Sequence, residues 1–310
     1  MYDTIYMRLT QAEVQEDFMG VTSSYLTDVA EHTYGDSVVL TGKVGNLSVS
    51  LNRWQVKIKD GSLSKYYLGD NLQTLSRAAT EQAIAQLSDT LHLHLDRAIC
   101  TRIDVAENFI CRFAPEVYFC HLGQLTYSTR LQEPNGIYYK QTGGRLAFYD
   151  KVKECRSRRE ELPELYQAKN VLRYEMRLAQ RIAHQMGVPE VTVAKLYDEA
   201  FYMAVIDRWQ ANYKKINKLN DITLNFQAMK TKQQLYKMGV LSLIERAGGQ
   251  LQILDQIKEA QTKGELTKKQ AYDLRLAINA AAKAKEGFTT PNEAIQELDK
   301  KVKEAALFYR

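Results

Sequence analysis

The sequence predicts an α+β fold: an antiparallel sheet with flanking helices over residues 1–190, then an all-helical region over residues 191–310. Three observations carry this reading. Up to about residue 190, short runs with period-two alternation are interspersed with longer runs of helical period. Glycines at 42, 45, 143 and 144 supply turns between strand-like runs. Beyond Gly187-Val188-Pro189, apolar residues recur at helical spacing, and no strong strand pattern is present.

Taken in order, Tyr2–Leu9 has strand character from Ile5, Tyr6, Met7 and Leu9. Thr10–Glu31 reads as a helix, with Thr10 as N-cap and Glu13 completing a capping box. Ser37–Leu51 reads as a hairpin whose turn runs from Gly42 to Gly45, and Trp54–Ile58 as a further strand. Ser76–Leu95 is helical, because Ala79, Ala83, Ile84, Leu87, Leu91 and Leu95 recur at three- and four-residue steps. Ile99–Phe109, Arg145–Tyr149 and Val171–Leu178 are strands, and Tyr138–Lys140 pairs with the second of these through Gly143-Gly144. In the tail, a helical run begins at Leu196 and continues through Leu241–Ile257 and Ala271–Ala284. Thr289-Thr290-Pro291 caps a last helix, Asn292–Phe308, with Pro near its first turn.

Composition narrows the class. With 45% hydrophobic and 25% charged residues, the 310-residue chain has the mix of a soluble protein of one large or two modest domains. It has no apolar run of the roughly 18 residues that span a bilayer, and no basic-then-apolar start, so a cytoplasmic protein without membrane contact is expected. The four cysteines, Cys100, Cys111, Cys120 and Cys155, form no CxxC pair, which speaks for reduced thiols and against a zinc knuckle. Residues 1–150 carry 13 basic against 17 acidic side chains, a net −4; residues 151–310 carry 29 against 20, a net +9. A basic second half points to a polyanion, nucleic acid first. Neither a P-loop nor a dinucleotide fingerprint is present, so no ATPase is expected.

Side chains alternate faces along a strand, and the three middle strands divide accordingly. Arg102 and Asp104 oppose Ile103 and Val105; Arg173, Glu175 and Arg177 oppose Leu172, Tyr174, Met176 and Leu178; Arg145, Ala147 and Tyr149 oppose Leu146 and Phe148, with Lys151 next in phase. In one antiparallel sheet these polar faces converge. Asp104 and Glu175 would then offer hard oxygens suited to Mg²⁺ or Mn²⁺, with a phenol and a cation beside them. Such a set suits phosphodiester transfer to tyrosine. A solvated sheet face is the plainer reading of the same alternation.

The segments Met1–Leu9, Thr101–Asp104, Arg145–Glu154 and Leu172–Arg177 appear in the order and spacing of a known family. Over residues 1–190 the chain resembles the gene II/gene X replication initiators of filamentous phages, with later motifs shared by plasmid rolling-circle initiators. The resemblance implies an enzyme that nicks one strand of a double-stranded origin, holds the 5′ phosphate on a tyrosine, leaves a 3′-OH primer and rejoins the displaced strand. It implies Tyr149 as nucleophile, and places Asp104 and Glu175 at the family's acidic positions. Lys151 is assigned to phosphate or phenolate stabilisation. A non-catalytic origin-binding protein of the same fold is the alternative.

Arg102, Arg145, Arg173 and Arg177 either contact DNA phosphates or pair with neighbouring carboxylates. Lys153, Arg156, Arg158 and Arg159 form the densest basic run and suit the entering single strand, or else an exposed helix laced with Glu154, Glu160 and Glu161. The helical tail, with Lys214, Lys215 and Lys218, could read duplex, form a homodimer or recruit a host helicase. His92-Leu93-His94 matches the metal signature of another nickase class, but it continues a helical period, on which residues two apart do not face together. A surface or loop pair is expected there.

Overall fold

The computed structural model describes residues 1–10, 18–222, 227, 229–283 and 288–310. The strands of the main sheet are β1 (Tyr2–Thr10), β2 (Thr27–Tyr34), β3 (Ser37–Val44), β4 (Leu47–Asn52), β5 (Gln55–Lys59), β6 (Ile99–Cys111), β7 (Thr129–Glu133), β8 (Gly136–Gln141), β9 (Gly144–Asp150) and β10 (Asn170–Leu178). Their order across the ten-stranded sheet is β2-β3-β4-β5-β1-β6-β10-β9-β8-β7. Every neighbouring pair is antiparallel. The fold is α+β, with helices α1 (Phe18–Ser24), α2 (Leu63–Leu68), α3 (Arg77–Leu91), α4 (Pro115–His121), α5 (Lys151–Ser157) and α6 (Ile182–Met186) between strands or just after them. The C-terminal part is helical: α7 (Glu199–Lys215), α8 (Lys232–Arg246), α9 (Gln250–Thr262), α10 (Lys268–Lys283) and α11 (Glu293–Phe308). A two-residue ladder interrupts it, β11 (Asp221–Ile222) on β12 (Thr289–Thr290).

The long strands β6 and β10 bury one apolar row each because their sequences alternate. Ile103, Val105, Leu172, Tyr174 and Met176 are almost wholly buried. An aromatic stack ties this face to α7: Phe148 lies on Tyr174 with ring centroids 4.4 Å apart, and Tyr174 on Trp209 at 4.8 Å. The Tyr174 hydroxyl donates to the Trp209 carbonyl at 2.9 Å, so its one polar atom is satisfied inside the core. Helix α11 joins the same core through Leu298, Val302 and Ala306. Helices α8–α10 pack instead around a second cluster that includes Ile244, Ile253, Ile257 and Ile278. The division expected at residue 190 thus falls before α7, which packs on the sheet.

Local expectations change in three places. Among the described residues of the helix expected over Thr10–Glu31, Phe18–Ser24 is helical; Thr10 belongs to β1, and Thr27–Tyr34 is an edge strand with every residue exposed. Thr27, Val29 and Thr33 are β-branched and favour that strand; the capping-box partner Glu13 lies outside the described residues. The first hairpin turns at Gly45-Asn46, while Gly42 stays within β3 opposite Val49. There a Cβ would meet the Leu26 Cβ at 2.9 Å, so Gly42 serves a close approach and not the turn. The run expected across Leu241–Ile257 is broken by Gly248 and Gly249, both at positive φ. Helix α10 is described over Lys268–Lys283, and Ala284, the last residue of the run expected there, lies outside the described residues.

Candidate active site

The polar face of the central strands opens into a cleft of about 350 Å³, rimmed by residues 60–62 and by Glu154 and Arg158 near α5. The register assembles it. Asp104 on β6 is opposite Arg177 on β10, which is opposite Arg145 on β9. Asn108, Arg173 and Tyr149 make a second row. Between these rows Glu175 sits between Ala106 and Ala147, whose small side chains leave its carboxylate to the arginines and the phenol. Period-two alternation places these residues on common faces; the pairing brings the faces together.

Tyr149 is half-buried and lines the cleft. Its hydroxyl donates to Glu175 Oε2 at 3.3 Å. Desolvation pushes the phenol well above the ordinary 10; the nearby Arg173 opposes this, and Glu175 and Glu154 add to it. The group therefore holds its proton at neutral pH. Glu175 is 5% exposed. Desolvation alone would raise its carboxyl, but Arg173, Arg177, Arg145 and Arg102 together hold it below the usual range. An ionised carboxylate thus accepts a hydrogen bond from a neutral phenol, the starting arrangement for general-base activation.

Asp104 is 1% exposed. Burial pushes its carboxyl up, with Arg102 opposing and the charge of Glu175 adding. Arg102 Nε donates to Asp104 Oδ1 at 2.8 Å, and Arg177 Nη2 to Oδ2 at 3.0 Å. The same Arg177 Nη2 donates to Glu175 Oε1 at 3.2 Å. Arg173 has no exposed surface. It donates to Asp3 Oδ2 at 2.6 Å, to the Asn71 carbonyl at 3.2 Å and to Asn108 Oδ1 at 3.3 Å. Arg145 Nη2 lies 3.6 Å from Glu175 Oε1. The four arginines are thus engaged with carboxylates, and Arg102, Arg145 and Arg177 also line the cleft.

Lys151 departs from the expected strand phase. β9 ends at Asp150, which accepts a hydrogen bond from the Lys153 amide as N-cap of α5, and Lys151 is the first helical residue. Its ammonium is fully buried and donates to Glu154 Oε2 at 2.6 Å, so it reaches the cleft only through Glu154. In the basic run, Lys153 pairs with Glu116 and Asp150, and Arg158 with Glu154 at 2.8 Å. Arg156 and Arg159 are exposed. His92 is the C-cap of α3, with its ring 4.6 Å from that of Tyr25, and His94 follows in a loop; both are exposed.

The metal expectation meets two obstacles in the donor chemistry. Arg177 bridges Asp104 and Glu175, the position that a shared divalent ion would take. As placed, the two carboxylates do not fit Mg²⁺ or Mn²⁺ between them. Glu154, Cys155 and Glu160 form a group that could hold a metal ion. Lys151, Arg158 and Lys65 already neutralise its carboxylates, and its sulfur is softer than Mg²⁺ prefers.

Sequence reasoning missed Asp3, Tyr6 and Asp60 as cleft residues. Tyr6 lies on β1, directly opposite Arg102. No local signal marks it, because β1 meets β6 only through a pairing of residues nearly a hundred apart.

Residues 1–212 match the family described as the N-terminal part of the replication-associated gene II protein. No curated protein matches the chain. No helix among the described residues is long and apolar enough to cross a membrane. The chain therefore belongs to the gene II-type replication-associated proteins, the replication initiators of filamentous phages, and is a DNA replication protein.

Proposed function

We propose that the protein nicks one strand of a double-stranded replication origin by transferring its 5′ phosphate to Tyr149, and later rejoins the displaced strand as a circle. The observation that carries this is the hydrogen bond from Tyr149 to an ionised, arginine-ringed Glu175 inside an open cleft. Glu175 takes the phenol proton as Tyr149 Oη attacks phosphorus. The Oη–P bond forms, the P–O3′ bond breaks, and the 3′ oxygen leaves as the primer hydroxyl with a proton from solvent. Arg145 and Arg177 face the charge that develops on the phosphoryl oxygens. Arg173 and Asp104 position these groups from beneath. Lys151 acts through Glu154 rather than on the phosphate. Residues 1–190 carry this chemistry; residues 191–310 contact duplex or a partner, a second copy or a host helicase. Exposed Arg156 and Arg159, with Lys153 and Arg158, track the phosphates of the entering single strand.

Supercoiled DNA carrying the protein's own origin tests the reading, incubated with Mg²⁺, with Mn²⁺ and with EDTA. Relaxation and a covalent protein–DNA adduct are expected, and Tyr149→Phe removes both. The metal arms separate a metal-activated reaction from one carried by the arginines alone. An adduct that survives Tyr149→Phe refutes the assignment, and binding without nicking favours the non-catalytic alternative.

A further inference from the structure

A second phenol faces the same cleft in a setting like that of Tyr149. Tyr6 is half-buried. Its hydroxyl donates to Asp60 Oδ1 at 2.8 Å and accepts from Arg102 Nη1 at 2.8 Å. The Arg102 guanidinium also lies over its ring, 4.6 Å from the centroid. Tyr6 thus has a carboxylate to take its proton and a cation to stabilise the charge left behind. Asp60 holds this position from a left-handed backbone, φ 53°, which a non-glycine residue adopts at some cost.

The two phenols are joined through the floor of the cleft. Arg102 links Tyr6 to Asp104, Arg177 links Asp104 to Glu175, and Glu175 accepts from Tyr149. They stand on β1 and β9, separated laterally by three strand spacings, about 14 Å. Each end pairs a tyrosine with its own carboxylate, and the arginines between them face the opening. The site is one cleft with two phenol–carboxylate units.

The chemistry of cutting and rejoining has a use for both. Once Tyr149 carries a 5′ phosphate, it cannot accept a second one. Rejoining the displaced strand needs a fresh 3′-OH, made by cutting the regenerated junction while Tyr149 is still loaded. We propose that Tyr6 is the acceptor in that second cut, an inference that rests on the reading of Tyr149 as first nucleophile. Tyr6 Oη attacks phosphorus at the regenerated junction, and its proton passes to Asp60. The Oη–P bond forms, the P–O3′ bond breaks, and the leaving 3′ oxygen takes a proton from solvent. That 3′-OH then attacks the Tyr149 phosphodiester. The O3′–P bond forms, the bond to Tyr149 Oη breaks, and the phenol regains a proton. No oxidant or further reactant is consumed.

The experiment uses the full chain and two single-stranded oligonucleotides of different length, both spanning the mapped nick site. In each, the scissile 3′ oxygen is replaced by sulfur, so that the released thiol does not re-attack and adducts accumulate. The chain is saturated with the first oligonucleotide, purified, and challenged with the second; proteolysis and mass spectrometry then locate each adduct. The expected result is the first label on Tyr149 and the second on Tyr6 of the same chain. Tyr6→Phe then loses the second label, and Asp60→Asn slows its appearance by about 10²-fold or more. A chain loaded on Tyr149 that takes no second label overturns the role of Tyr6 and leaves that of Tyr149 standing. A label on Tyr6 alone keeps Tyr6 as a nucleophile and removes Tyr149. A chain that takes no label anywhere overturns both.

Discussion

Arg173 carries a permanent charge with no exposed surface, held by Asp3, Asn108 and a backbone carbonyl. Removing it leaves Asp3 buried beside an empty space, so Arg173→Ala is expected to cost about 3–5 kcal/mol, read from urea unfolding. Glu175→Gln keeps the shape and removes the base; nicking should fall by about 10²–10⁴-fold with little change in DNA affinity, measured as adduct rate and binding separately. Tyr2, Tyr149 and Tyr174 all have phenols raised well above 10 by desolvation. Their folded values exceed the unfolded one, so the stability they contribute is fully present below about pH 10 and is lost as pH rises above it. Circular dichroism at increasing pH should show stability that is flat up to about pH 10 and cooperative alkaline unfolding above it, and a chain whose stability does not fall as the pH rises well above about 10 would contradict the assignment. At this scale the common polar faces that carry Tyr149, Asp104 and Glu175 are legible in the sequence, because a strand's period is local. Their partners were not: Arg177 as a bridge and Arg102 as a link are set by which strand lies alongside.

At the scale of elements, the register of β9 on β10 is what aligns Tyr149 with Arg173 and Ala147 with Glu175. Gly144 guards that register, since a Cβ there would come 2.1 Å from the Arg177 carbonyl. Gly144→Ala should destabilise the fold by about 1–3 kcal/mol and lower adduct formation beyond what the lost stability explains. Normal nicking in this variant would show that the register tolerates a shift. The starts of α3 and α11 read to within a residue from sequence, because capping is local, although α11 is capped by Asn292 and not by Thr289-Thr290-Pro291, and the cap expected at Thr10 lies in β1. Asn292 accepts from the amides of Ala294 and Ile295 at the start of α11, and Ser76 caps α3. The end of β1 and the start of β2 read poorly. Residues 27–31 have no periodicity that separates an exposed edge strand from an exposed helix, and pairing with β3 settles the matter.

For the whole molecule, the strand order puts β1, β6, β10 and β9 side by side although their residues are up to about 170 positions apart. The apolar face beneath them is covered by α7 and α11, from beyond residue 190. A chain ending at residue 190 lacks Trp209 and the whole of α11, so it should expose apolar sheet and aggregate. Removal of the segment 229–283, which has its own core, should leave the main sheet folded and weaken duplex binding more than single-strand cleavage. Thermal unfolding and adduct yields of the two truncations check this. The α+β class, most of the strands and helices, and the division of each strand into an apolar and a charged face can all be read from the residues in order. These follow from local backbone geometry and from the burial of one face. It takes the folded chain to show that Arg177 stands between the two carboxylates, that Lys151 is enclosed, and that Tyr6 shares the cleft with Tyr149. Those outcomes depend on pairing between distant segments, and on which buried charges find partners, and no residue carries that information in its immediate neighbours.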